Sequence, residues 1–253
     1  LRLLERSYTK STGDMKMKWR THIAISEVIG KSLDLPKDLE KALIQGAIEP
    51  DKCRSKYISH HHAYSSLVMR YIWKARLAYL EGKNSEAMRN LGRALHYVQD
   101  KSISEGILGL FHDSIEEKIS LKSPPQDAIE EGFSISIPSP RFIRSIVENI
   151  IPKKDPDEGL RQACMYSAAI AKAIISDRNP PEKLLENFKS AKERYYKLTI
   201  PAVIVILASS LIMSIIMKTI LYTVLGCLVG IIIERTDSEY HYLKEELQWF
   251  LIE

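Results

Sequence analysis

An all-α protein, a multi-helix bundle followed by a C-terminal hydrophobic membrane anchor, is predicted by three features of the sequence. Apolar residues recur at helical spacing through most of the chain. Strand-like alternation is scarce, with "FSISIP" at Phe133–Pro138 as the exception. The stretch Ile200–Ile233 carries Lys218 as its only charge, far beyond the apolar run of an ordinary core helix.

The elements follow in order. "THIAISEVIGKSLDL" places Ile23, Ile25, Val28, Ile29 and Leu33 on a helical stripe that Pro36 closes. "PKDLEKALIQGAIEPDK" reads as a second helix ended by Pro50. A third runs from His60 to Leu80, rich in Tyr, Leu, Val and Trp73, and a fourth, "NSEAMRNLGRALHYVQD", opens with a cap at Asn84 or Ser85. A fifth begins at His112–Leu121 and is ended by "KSPPQD"; further helices are expected at Pro140–Ile151, Asp157–Ser176 and Pro181–Leu198. Ile200–Ile233 is read as a membrane anchor, either a two-span hairpin turning near Lys218 or one long tilted helix. "KSAKERYYK" before it is a basic, aromatic flank with Tyr195 and Tyr196, which by the positive-inside rule puts the large domain on the cytoplasmic side. Expected segments are an N-terminal extension (1–17), with residues before Lys16 dispensable, a helical domain (18–198), the anchor (199–233) and an amphipathic tail (234–253) containing His241.

Charge is uneven. Three basic and six acidic side chains follow Ile200, which leaves the preceding chain at about +7 and the tail at −3. A basic domain suits an anionic partner, lipid headgroups or nucleic acid, without choosing between them. Cys53, Cys164 and Cys227 are odd in number and far apart, which argues against a disulfide framework and against thiolate metal sites. The N-terminal residues lack the apolar run of a secretory signal.

Six of the seven histidines, His22, His60, His61, His62, His96 and His112, fall within the first 112 residues. His96 and Asp100, then His112 and Glu116, stand four residues apart, so each pair shares one helix face and can aim an imidazole and a carboxylate at a common point. Imidazoles and carboxylates without thiolates favour zinc or a similar divalent ion in a hydrolytic site. Two ions about 3.5–4 Å apart would clamp a phosphodiester and activate water. The competing reading makes the pairs ordinary helix-surface contacts and Asp51 a turn cap. His61 and His62, as neighbours of a ligand, point elsewhere, so at most one joins the site. Trp19, Trp73 and Tyr97 are expected in the core.

"WRTHIAIS" at Trp19–Ser26, "PD" at Pro50–Asp51, "ISHHH" at Ile58–His62, "NLGRALHYVQD" at Asn90–Asp100 and "FHDSIEE" at Phe111–Glu117, in this order, resemble the zinc-dependent phospholipase C family. That family has an all-helical fold related to the trinuclear zinc nucleases that act on single strands, and the likeness covers 18–121. The resemblance implies that Asp51, His60, His96 and Asp100 bind one zinc, that His112 and Glu116 bind its neighbour, and that His22 binds a third ion bridged by Asp100. Two zinc ions are implied, or three. In the family a histidine follows the HxxxD aspartate by six residues; here that position is Gly106, and Glu105, His61 or His62 is the candidate replacement. The family's third zinc is held partly by an N-terminal tryptophan, whereas Trp19 is internal.

The function so implied is a membrane-anchored zinc-dependent phosphodiesterase of phospholipase C type, with a metal-bound water as nucleophile and Asp51 as candidate general base. Its partner is a phospholipid or membrane surface, which the anchor would hold at high effective concentration. The alternatives are a single-strand nuclease of the same fold, for which no aromatic-basic track is evident, and a non-catalytic membrane-tethered module with a partial metal site.

Overall fold

The computed structural model describes residues 15–52, 65–103 and 122–250, and the regular structure among them is helical. The chain divides into two compact units, Leu1–Ser176 and Asp177–Glu253.

In the first unit α1 (Met15–Ser32), α2 (Lys37–Lys52), α3 (Ser65–Leu80) and α4 (Asn84–Lys101) are followed by α5 (Gln126–Ile135), α6 (Pro140–Asn149) and α7 (Pro156–Ile174). Helix α4 is the hub, packed against α2, α3 and α7. It buries Leu91, Leu95, Val98 and also the polar Asn90, His96 and Gln99. Polar side chains at a hub are costly unless paired, so their partners locate the chemistry of this unit.

Local sequence explains most helix ends. Ser139 accepts a hydrogen bond from the Phe142 N–H (3.2 Å) with Pro140 at the first turn. Asp155 accepts from the N–H groups of Asp157 (2.7 Å) and Glu158 (3.3 Å) ahead of Pro156. Both are side-chain caps joined to a proline that has no N–H to lose. The buried Arg76 guanidinium donates to the carbonyls of Ile174 (2.7 Å) and Ser176 (3.0 Å), closing the end of α7 where the helix dipole favours a cation.

Several boundaries differ from the sequence reading. Helix α2 continues through Pro50 to Lys52, because a proline in the last turn forfeits one hydrogen bond while its buried ring packs. Neither Asn84 nor Ser85 caps α4. Gly82 (φ +77°) ends α3 in the left-handed conformation, with the Lys83 N–H bonded to Ala78 O (2.8 Å), so α4 starts directly at Asn84 with no side-chain cap. "FSISIP" is not a strand: Phe133–Ile135 complete α5, whose Gly132 lies against the Met165 backbone of α7, while Ser136 Oγ donates to Ala169 O (2.7 Å). Packing on α7 overrides the alternation. "KSPPQD" leads into α5 at Gln126. The predicted helix from His112 and the start of α3 at His60 lie outside the described residues.

The second unit is built on one continuous helix of 35 residues, Glu182–Ile216, long and apolar enough to cross a membrane. It comprises α8 (Glu182–Arg194), a π-helical turn (Tyr195–Thr199) and α9 (Ile200–Ile216). The π turn has a local cause in Pro201, whose missing N–H and ring would disturb a regular turn; the Ile200 N–H instead reaches back to Tyr195 O. After a turn at Lys218 (φ +51°), α10 (Leu221–Thr236) packs back along α9, and α11 (Ser238–Gln248) packs on α8. Tyr195 and Tyr240 stack with ring centroids 4.1 Å apart. His241, expected in an amphipathic tail, lies on α11 with its imidazole 45% exposed.

Candidate metal centre

Three helices of the first unit bring His22 (α1), Asp51 (α2), His96 and Asp100 (both α4) to one point. The ligand atoms of His22, Asp51 and His96 all lie within 4.8 Å of one another. His96 Nε2 is 3.1 Å from Asp100 Oδ2 and 3.6 Å from Asp51 Oδ1, while His22 Nε2 is 3.2 Å from Asp100 Oδ1. The carboxylate of Asp100 therefore bridges the two imidazoles, one oxygen to each. The one-turn spacing of His96 and Asp100 on α4 accounts for their shared face; α1 and α2 supply the rest through tertiary packing.

Each imidazole is fixed from behind. His22 Nδ1 donates to Gln99 Oε1 (2.6 Å), and Gln99 Nε2 donates onward to Ser167 Oγ (3.2 Å) on α7. His96 Nδ1 donates to the backbone carbonyl of Ala47 on α2 (2.9 Å). With both Nδ1 atoms engaged as donors, both Nε2 atoms face the carboxylates in the orientation that metal-binding histidines adopt.

Among the described residues, the cluster also leaves polar atoms unsatisfied where a cation would sit. Asp51 Oδ2 and His96 Nε2 are buried there without a well-formed hydrogen bond among the described residues, the latter despite its closeness to two carboxylates. Buried orphan atoms are costly. Two ligands of a tetrahedral zinc at 2.0–2.1 Å stand about 3.3 Å apart, and the 3.1 and 3.6 Å separations around His96 Nε2 bracket that value. The residues thus fit a divalent ion.

The same contacts set the charge of the metal-free cluster. Burial works against charge on His22, but the hydrogen bond and charge of Asp100, joined by Asp51 and Gln99, outweigh it and raise its pKa from 6.5 to about 9. For Asp100 burial likewise opposes ionisation, yet the adjacent imidazoles of His96 and His22 hold it well below the usual carboxylate range. An imidazolium at His22 is the charge that balances these carboxylates when no metal does.

This gives a pH signature. A pKa raised by folding contributes stability that is full below 6.5 and lost as pH rises through about 9. Chelator-stripped protein is therefore expected to lose on the order of 3 kcal/mol between those limits, read as a falling denaturation midpoint. Metal-loaded protein, with His22 neutral, should lack that slope.

Gln99 and the Ala47 carbonyl were not foreseen from sequence. Gln99 precedes Asp100 and lies one turn after His96, which was the signal available. Gln99→Leu should keep helix α4 and lower metal affinity by about 10–100-fold, measured by competition against a chromogenic chelator.

The other sequence-predicted ligands, His60, Glu105, His112 and Glu116, lie outside the described residues, as do Gly106, His61 and His62. Trp19, expected in the core, is half-buried one turn before His22, with Lys52 Nζ 5.4 Å from its ring centroid. Tyr97 stacks on Tyr71 and meets the His96 ring edge to face at 5.2 Å. No protein-family model, curated protein or solved structure matches the chain.

Proposed function

We propose that this chain is a membrane-anchored, zinc-dependent phosphodiesterase of phospholipase C type, hydrolysing phospholipid headgroup esters. The observation that carries the reading is the convergence of His22, Asp51, His96 and Asp100 on one point, where the carboxylates of Asp51 and Asp100 face His96 Nε2 and Asp51 Oδ2 has no partner among the described residues. These four residues would hold the metal, joined on the sequence reading by His60, His112 and Glu116, with Glu105 in place of the family histidine.

When bound, a zinc ion supplies Lewis-acid polarisation of a phosphoryl oxygen and lowers the pKa of a water. Asp51 would ligate the ion through one carboxylate oxygen and accept the proton of the attacking water with the other. Gln99 and the Ala47 carbonyl keep both imidazoles oriented as the charge of the site changes. Asp100, shared by two histidines, keeps their relative position.

The long apolar helix Glu182–Ile216 supports membrane attachment and hence a lipid substrate. Its flank, with Lys189, Lys192, Arg194 and Lys197, favours the cytoplasmic side for the chain before it. The deciding assay sets a short-chain phospholipid beside a single-stranded oligonucleotide, each with zinc and with chelator, using full-length protein in detergent. Zinc-dependent release of a phosphorylated headgroup is the expected result. Cleavage of the oligonucleotide alone would move the chain to the nuclease reading, and inactivity on both with metal bound would leave a tethered metal-binding module.

A further inference from the structure

We propose that α9 and α10 enter the bilayer together as a helical hairpin that reaches the far headgroup layer with Lys218 at its tip, so that helices α8 and α11 emerge on the same face. The inference rests on the membrane attachment just proposed and fixes its topology.

Surface chemistry is the first support. No residue of α9 is buried, and α10 buries only Gly226 and Gly230. Ile204, Leu211, Ile215, Leu221, Leu228 and Ile232 are each about half exposed or more, on every side of the pair. Such all-round apolar exposure is stable only where the solvent itself is apolar.

The two glycines show why the helices travel as a pair. A Cβ at Gly226 would collide with the Ser210 side chain, and one at Gly230 would meet Val203 Cγ1 at 3.4 Å. This G-x-x-x-G face is thus occupied by α9 of the same chain, the close small-residue packing that holds helices together in lipid.

Backbone accounting is the third support, because in hydrocarbon each unsatisfied polar group is costly. At the tip, Met217 N–H bonds to Met213 O (2.9 Å), Lys218 N–H to Ile215 O (3.3 Å) and Thr219 N–H to Ser214 O (3.1 Å). Ser214 Oγ donates to Thr219 O, and Ser210 Oγ to Leu207 O (2.9 Å). The hairpin satisfies these groups internally.

Charge distribution sets the orientation. Lys218 stands alone at the tip. The opposite end carries Arg194 paired with Asp237 (3.1 Å) and Glu239 (2.8 Å), Thr199 donating to Asp237 (2.8 Å), and Glu234 held by Tyr195 (3.2 Å) and His241 (2.8 Å). Tyr195, Tyr196 and Tyr240 cluster there as an interfacial aromatic group. The 17 residues of α9 span about 25 Å, and the apolar part of α10, Leu221–Ile233 ahead of Glu234, about 20 Å. Both fall short of a core of about 30 Å, a gap closed by the turn residues at the tip, a snorkelling lysine and local thinning of the bilayer.

The test uses full-length protein in sealed membrane vesicles of one orientation. Cys53, Cys164 and Cys227 are replaced by alanine, and single reporters are added as Lys183→Cys, Thr219→Cys or Lys244→Cys, with Ile220→Cys as a second tip reporter should Thr219→Cys fail to accumulate. A membrane-impermeant maleimide is applied before and after permeabilisation. Expected is labelling of the Lys183→Cys and Lys244→Cys variants from one face and of the tip variants from the other. The hairpin is overturned if the first two label from opposite faces, if the tip labels from their face, or if the tip labels from neither while the protein resists alkaline carbonate. Release of the protein by carbonate would instead overturn membrane attachment itself.

Discussion

Replacing His96 with alanine is expected to cost the protein at least about 100-fold in divalent-metal affinity, since loss of even an outer partner costs 10–100-fold, and to abolish any hydrolysis that depends on the ion. His96 is fully buried, with Nδ1 committed to Ala47 O and Nε2 facing Asp51 and Asp100. Alanine removes the donor atom and leaves two carboxylates facing each other, with His22 as their balancing cation among the described residues. Elemental analysis of wild type beside His96→Ala reads the difference, with His241→Ala, on the other unit, as the control that should retain its metal. Thermal denaturation adds a second readout. Metal bound to the native state stabilises by mass action, so a chelator should lower the midpoint of wild type and leave that of His96→Ala unmoved. A His96→Ala protein that keeps its full metal content would remove His96 from the site and with it the basis for a hydrolytic centre here.

The parts of this architecture legible in the sequence are those written in neighbouring residues. The Ser139-Pro140 and Asp155-Pro156 pairs announce α6 and α7 because capping acts within one turn. The one-turn spacing of His96 and Asp100 announces a shared face for the same reason. Lys218 marks the turn between α9 and α10, although hydropathy alone left one span and two equally open. What stayed hidden is set by tertiary contact. Gln99 looks like an ordinary polar residue of α4 until α1 brings His22 to it, 77 positions away in the chain. The acceptor for His96 is a backbone carbonyl, which any residue at position 47 would provide. The "FSISIP" alternation was a true local signal overruled by α7. Pro50 looked like a helix end, yet the helix runs on to carry Asp51 into the site.

Gly92→Leu is expected to destabilise the first unit strongly and to couple fold to site. Helices α2 and α4 meet backbone to backbone: a Cβ at Gly92 would strike Leu43 O and Ala47 N, and one at Gly46 would strike the Arg89 carbonyl. Backbone cannot swing aside as a side-chain tip can, so the helices must separate. Overpacking commonly costs about 1–3 kcal/mol; a leucine wedged into backbone should exceed that range, and Gly92→Ala should fall within it. The consequence for chemistry follows from Ala47, whose nitrogen borders Gly92 and whose carbonyl orients His96. Moving α2 outward therefore withdraws both that acceptor and Asp51, and metal affinity should fall together with stability. Gly82→Ala separates the two effects. Gly82 sits at φ +77° with open space around its Cβ position, so alanine there costs about 1–2 kcal/mol of backbone strain without touching the α2–α4 approach. Denaturant titration and metal competition on the three variants should show stability reduced in all, but affinity reduced only in the two at Gly92. Equal affinity in all three would mean that His96 and Asp51 find their positions without the glycine contact.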